Sequence, residues 1–381
     1  MRRFLSLLVL GLAAALPGLG WAEGSVDAGP VHLTGSGFMS IVAGKVLGGS
    51  HDPSTDLGYN CPCFISDYAQ NGVYESSGVR FRPDSRAGVQ GTASVDSGRY
   101  SLTGQVVARG AQGKADLEWL YATAQITPDL TVQVGRKRLP LFISSEVQDV
   151  GYALPWNHLP PQLYGWEIVN FDGASIDYHR ELGSWLAAAQ AFYGNETVHD
   201  SGYWQIYNGK GSVTDTRWRN IVGTELKVSR DWFNVRALVL ASATQNRQVS
   251  AGETAYTPAA HQRINGLSFD GDNGVWLARA EFLYIDRHED YGYDHAQLYA
   301  VGRRWGRITG LLSYSNYRQT VTAAPLTAEA HDTKSVVMRY DIGSSSAVKI
   351  QYDIWRDKVG PGFASMHGNA RLLTIGFDQV F

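Results

Sequence analysis

Val348-Lys349-Ile350-Gln351-Tyr352-Asp353-Ile354 is the stretch that decides the fold. Successive side chains of a strand point to opposite faces, so Val348, Ile350, Tyr352 and Ile354 make one wholly apolar face. Lys349, Gln351 and Asp353 make the other. A strand crossing a bilayer needs about 9–11 residues of this kind, with lipid on one side and a polar lumen on the other. Ile350 is then expected to touch lipid, and Gln351 to stay hydrated.

The same alternation recurs upstream. Trp276, Ala278, Ala280, Phe282 and Tyr284 alternate with Leu277, Arg279, Glu281 and Leu283, and both charges fall on one face. Phe233, Val235, Ala237, Val239 and Ala241 alternate with Asn234 and Arg236, and Tyr100 to Ala108 alternate with Ser101, Thr103, Gln105 and Arg109. Aromatic residues close several stripes, as Trp185 and Tyr193 do, in the manner of a girdle at a membrane surface. Sixteen strands are predicted, near 31–43, 85–95, 99–109, 117–126, 130–137, 172–179, 185–193, 221–229, 232–243, 264–270, 275–285, 296–304, 308–315, 334–341, 347–356 and 371–381. The fourth and thirteenth alternate ambiguously. Tight turns such as Thr127-Pro128-Asp129 and Gly343-Ser344-Ser345 take turns with longer polar connections holding Cys61, Asp290 and Gly362. This predicts an all-β, transmembrane antiparallel β-barrel of about 16 strands, with short periplasmic turns and long extracellular loops. An even count returns both ends to one side, and closure leaves no bare edge in hydrocarbon.

At the amino terminus, Arg2 and Arg3 precede an apolar run from Phe4 to Leu16, and Gly20-Trp21-Ala22 supplies small residues for cleavage. Residues 1–22 are read as a signal peptide and 23–381 as one barrel domain. Without Arg2 and Arg3, 31 of the 33 basic residues remain against 36 acidic ones, which lacks the basic excess of a nucleic-acid binder. The 42 glycines, 20 tyrosines and 11 tryptophans suit tight turns and membrane-interface rings. Two cysteines rule out a disulfide framework.

Leu373, Ile375, Phe377 and the terminal Phe381 alternate along the final strand, with Gln379 interrupting the pattern. This ending resembles that of Gram-negative outer-membrane porins. Val134-Gly135-Arg136-Lys137-Arg138-Leu139-Pro140, leading through a long connection to Phe171-Asp172-Gly173-Ala174-Ser175, resembles the region around the porin constriction loop. The connection from Lys137 to Ile168 carries Leu139, Leu141, Phe142, Ile143, Tyr152, Leu154 and Trp156, more apolar anchors than an exposed loop needs, and is expected to fold inward as the third loop. A barrel this wide is expected to hold water. The resemblance implies loop carboxylates facing wall arginines: Glu146 and Asp149 on the loop, and Arg109, Arg236 and Arg279 on the lumen face of their strands, with Arg80, Arg82 and Arg86 near the second strand. Arg136 and Arg138 join the wall set only if Gly135 introduces a bulge, since strict alternation from Val132 and Val134 aims them outward. The alternative for each arginine is a structural ion pair.

Cys61-Pro62-Cys63 is read as a tight or internally oxidised loop in preference to a metal or redox site. Asp286, His288, Glu289, Asp290, Asp294 and His295 are read as a solvated loop in preference to a cation site, and Tyr203, Trp204, Tyr207 and Trp218 as loop packing in preference to a sugar platform. With no serine elbow, zinc-helix motif or phosphate loop, no catalytic residue, metal or cofactor is expected. The expected function is passive diffusion of small hydrophilic solutes and ions across a bacterial outer membrane, with lipid and lipopolysaccharide around the barrel and, by resemblance, a homotrimer. The alternatives are a solute-specific channel, a barrel enzyme and a surface-binding barrel.

Overall fold

A computed structural model describes residues 24–287, 291–322, 327–360, 363, 365 and 367–381. The expected signal peptide, residues His288, Glu289 and Asp290, and Gly362 lie outside the described residues. Strands run as β1 (Gly24–Ala28), β2 (Val31–Ser50), β3 (Phe64–Asp67), β4 (Gly72–Tyr74), β5 (Arg86–Val95), β6 (Tyr100–Arg109), β7 (Lys114–Thr127) and β8 (Leu130–Arg138). Then come β9 (Asn170–Leu182), β10 (Trp185–Val198), β11 (Thr214–Arg230), β12 (Phe233–Gln248), β13 (Ala260–Asp272) and β14 (Trp276–Arg287). The last five are β15 (Gly292–Trp305), β16 (Ile308–Val321), β17 (Ala330–Asp341), β18 (Ser346–Asp357) and β19 (Asn369–Val380). Two short helices, α1 (Pro161–Tyr164) and α2 (Gly202–Asn208), lie in connections.

Strand β2 and the fifteen strands from β5 to β19 pair antiparallel with their neighbours in sequence, and β19 returns to β2, closing a 16-stranded barrel. These are the sixteen predicted strands in order. Apart from β5 and β6, they run further at their outer ends than expected, because outward positions there are polar and the apolar signal fades before the pairing does. Strand β1 folds back on β2, and β3 pairs with β4 inside the first outer loop. The seam is completed by Phe381, whose backbone exchanges hydrogen bonds with Gly37. A Cβ at Gly37 would stand 2.3 Å from the Phe381 ring, so any larger residue there would have to displace that ring.

Outward faces carry the predicted lipid surface. Val134, Val239, Leu312, Val336 and Ile375 are exposed there, and Trp185, Trp276 and Trp305 ring the turn end. Arg230 lies over Trp185 and Arg303 over Trp276 and Trp305, placing cations where rings meet water. The two ambiguous strands have separate causes. In β7 a bulge at Glu118 lets both Leu117 and Trp119 oppose consecutive residues of β6. In β16 the alternation is regular, but Leu311 points inward and is buried.

Leu311 belongs to a general departure from the water-filled interior that the barrel's width predicts. Leu238, Leu240, Ile264, Leu283, Ile285, Leu298 and Val337 also project inward and are buried against Leu139, Leu141, Phe142, Leu154, Trp156 and Leu163 of the third loop. The loop does fold inward, as its apolar anchors predict. Instead of narrowing a wide pore, it fills the lumen beside β12 to β18, with apolar side chains on both surfaces. The first loop packs a second cluster, with Phe64, Ile65, Tyr68 and Tyr74 against Val46, Trp355 and Leu372.

Candidate functional site

The third loop is fixed to the wall by cations that donate to its backbone. Arg86 bonds the Asp149 carbonyl at 2.8 Å, and Arg339 bonds those of Tyr152 and Leu154 at 2.6 and 2.9 Å. Lys349, fully buried, bonds the carbonyls of Gly151 and Trp156 at 2.6 and 2.8 Å and pairs with Asp378 at 2.8 Å. Arg236 reaches the carbonyls of Pro140 and Leu141 and pairs with Glu225 at 2.8 Å, while Arg279 bonds Ser144 and Asp270, each at 2.7 Å. A loop in a barrel has no ladder to satisfy its carbonyls, and buried polar groups demand partners. The wall supplies them.

At the end of β6 the loop meets a compact ion network. Arg109 holds Asp149 with two bonds of 3.0 and 2.7 Å and Glu118 with one of 2.6 Å. Arg138 closes the square to Asp149 and, at 3.2 Å, to Glu118. Asn170 donates to the same Glu118 oxygen as Arg138, at 2.8 Å. All four charged side chains are buried. The bulge of β7 brings Glu118 into this network.

The expected site residues therefore divide. Asp149, Arg109 and Arg138 are brought together in direct contact, and Arg236 and Arg279 stand on the lumen face holding the loop. Glu146 is apart from them, exposed on the loop near Lys137. Arg136 is on the other side of the wall. Gly135 has φ of 136° but shifts no register, so Arg136 opposes Leu120 and Asp172 on the outward face, as strict alternation requires. There it pairs with Glu196 at 2.8 Å and Asp172 at 3.3 Å. Arg138 shares that parity but ends the strand, and its side chain turns in to Asp149. Glu118, Arg339 and Lys349 were missed as site residues. Lys349 carried a signal, because it lies on the lumen face of the deciding segment; Glu118 carried none, because its bulge scrambles the alternation.

Lumen-facing polar side chains are partly exposed along one stretch of the wall. Gln90, Thr92, Tyr121, Thr123, Gln133, Asp177, Gln190 and Glu225, on the turn-side half of β5 to β11, are partly exposed, and the exposed Glu146 lies near Tyr121 and Lys137 of this wall. Other expected clusters disperse or pack. Asp294 points inward to Arg287 and Tyr317, while His295 points outward and packs at a tilt against Tyr284. Tyr203 and Tyr207 pack at a tilt against each other, and Trp204 and Trp218 donate to Glu167 at 2.8 and 2.6 Å, which is loop packing. Cys61 and Cys63 are disulfide-bonded.

Loops one and three are joined by His158. Its Nδ1 is 2.9 Å from Asp84, and its Nε2 is 3.3 Å from Asp353 of β18. Burial opposes the charged imidazolium, but the two carboxylates prevail and push its pKa up to about 10. A histidine raised from an unfolded value of about 6.5 contributes stability that is complete below that pH and lost as pH climbs through the folded value. Loop docking is therefore expected to loosen between about pH 9 and 11, seen as protease cleavage in residues 139–169, and His158→Gln should loosen it already at neutral pH. Equal cleavage of both proteins across that range would show that the clamp is inert.

No family profile matches the sequence, and no curated protein does. Solved structures match closely in fold. OmpF of Salmonella typhi, in a complex with daunomycin, is 10% identical with a TM-score of 0.58, covering 94% of this chain and 100% of its own. An anion-selective porin from Comamonas acidovorans is 12% identical with a TM-score of 0.56, covering 92% and 100%. The trimer form of OmpT, an outer membrane protein of Vibrio cholerae folded in vitro, is 12% identical with a TM-score of 0.51, covering 93% and 100%. The chain has the fold of the 16-stranded outer-membrane porins. At these identities the likeness concerns fold alone.

Proposed function

We propose that the chain is an outer-membrane channel through which small hydrophilic solutes diffuse along the polar sector of β5 to β11. The observation that carries this reading is the set of partly exposed polar side chains on that sector, with the exposed Glu146 near Tyr121 and Lys137, in a lumen that the third loop packs on its other side. Flow is set by the narrowest point and its charges. A path confined to one side of the lumen favours a solute-selective channel over a general one, and this is the second reading.

We read the chain as non-enzymatic. Both nitrogens of His158 face carboxylates, so it offers no free base to Ser66, whose hydroxyl donates to Asp84. For surroundings, Lys45, Arg263, Arg318, Lys334, Arg356 and Arg371 are exposed near the outer ends of their strands and outward-facing, a belt suited to lipopolysaccharide phosphates. The outward face of β5 to β9 carries short residues, among them Ala87, Ala93, Gly104, Ala122 and Ala174, and this flatter wall supports the homotrimer.

Planar-bilayer recording tests the channel. Wild-type protein should give stable steps, and Glu146→Lys should move the reversal potential in a salt gradient toward anions, while Glu253→Gln on an outer loop leaves it unchanged. The shift should shrink at high salt, where charges are screened beyond about 3 Å at 1 M. Folded protein without steps would end the channel reading; an unmoved potential for Glu146→Lys would place the selective point elsewhere.

A further inference from the structure

Cys61 and Cys63 lie in the first outer loop, and a third potential ligand comes from the far end of the chain. His367, in the last outer connection, is 2% exposed, and one of its ring nitrogens and the two sulfurs all lie within 4.8 Å of one another. Neither nitrogen of this imidazole makes a hydrogen bond of normal geometry, although backbone carbonyls of Ile206 and Thr55 face it. The edge-on Tyr59 ring packs against it at 5.7 Å. Asp56, whose charge acts on the same imidazole, has a buried Oδ1 that also lacks a partner. A buried imidazole without well-formed hydrogen bonds is costly, and this one sits beside a pair of sulfurs.

We propose that, when the Cys61–Cys63 bridge is reduced, Cys61, Cys63 and His367 bind a thiophilic d10 cation, Zn2+ or Cu+, and so clamp the first outer loop to the last. Opening the bridge takes two electrons and two protons: two thiols supply both and become a disulfide, or a phosphine supplies the electrons and becomes its oxide while water gives the oxygen and the protons. The cation then displaces the two thiol protons, and the neutral imidazole binds through one nitrogen. Bond lengths of about 2.0–2.3 Å set ligand atoms roughly 3.5 Å apart around a tetrahedral ion, so the three groups need only a small adjustment. Two thiolates and an imidazole select this class of cation over Mg2+ or Ca2+, which take oxygen ligands. The fourth position is left to water. In the oxidised state the sulfurs bond each other and the site is off. The proposal does not depend on the channel reading.

The test is titration of the full-length barrel, reduced by a phosphine and kept anaerobic, with Co2+ as a coloured stand-in for Zn2+. One ion per chain should give a sulfur-to-cobalt charge-transfer band that Zn2+ bleaches. Replacing both cysteines by serine should abolish it, and His367→Ala should weaken binding at least tenfold. His367→Gln, close in size, serves if the alanine variant loses sheet content. A reduced wild type without the band, an unchanged affinity in the histidine variants, or equal uptake by the oxidised protein would each overturn the site.

Discussion

Asp149→Asn is expected to release the third loop from the wall, raising single-channel conductance and exposing residues 139–169 to protease. The carboxylate is buried between Arg109 and Arg138, with Arg86 on its own carbonyl. Removing one partner of a buried ion pair costs about 3–5 kcal/mol, because the charges left behind stay dehydrated and uncompensated. That is more than a hundredfold in a docking equilibrium. In the variant Glu118 alone faces two guanidinium groups, so the gap should also turn toward anions. The charge origin of the effect can be isolated: Asp149→Leu combined with Arg109→Met removes a whole pair, leaves Glu118 with Arg138, and should largely restore docking, since an apolar replacement of a buried pair is often neutral. Conductance and cleavage indistinguishable from wild type in Asp149→Asn would show that the network does not hold the loop.

The second large effect concerns the two faces of β18. Ile350→Arg should lose about 2–4 kcal/mol of barrel stability, the cost of an arginine facing the bilayer midplane. A lumen substitution on the same strand is the obvious control, and Gln351 is expected from sequence to be hydrated. The structure removes that control. Gln351 is buried, accepts from the Asn157 backbone at 2.8 Å and donates to Asp353 at 3.0 Å, so Gln351→Arg should also be costly. Gln190, partly exposed beside Asp177, is the position where arginine should be tolerated. Urea titration of the barrel in lipid vesicles separates the three variants. Equal midpoints for Ile350→Arg and Gln190→Arg would mean that the outward face of β18 does not meet lipid.

The contrast between Ile350 and Gln351 shows how far the sequence could be read. A period of two reports which side of a sheet a residue occupies, and that reading placed sixteen strands in order, together with the lumen positions of Arg109, Arg236 and Arg279. It says nothing about what fills the space a side faces. Lys349 and Gln351 look the same whether they meet water or the carbonyls of a folded loop. Inward leucines did leave a trace: Leu277 and Leu283 share the face of Arg279 and Glu281, and Leu311 made its strand ambiguous. Each is an error in a hydrated pore and an anchor in a packed one. Arg136 was legible too, since alternation alone sends it outward. Asp149 and Glu146, three residues apart on one irregular loop, were inseparable, because the turns that bury one and expose the other depend on contacts with distant strands.

The seam at Gly37 and Phe381 also bears on the order in which the molecule comes into being. Strand β2 is the first barrel strand made, and its partner across the seam is the last, so that Asn369 bonds Ser50 across 319 positions. Apart from β8 and β9, which the third loop separates, the neighbouring pairs from β5 onward can zip as hairpins, locally and fast, whereas this one must wait for the whole chain. Until then the growing sheet has two raw margins, each able to capture a margin of another unfinished copy. Deleting Phe381 alone would leave the Gly37 amide and carbonyl unmatched at the closing point. Its loss should therefore appear as slow, copy-number-dependent yield, even where the barrels that do close are normally stable.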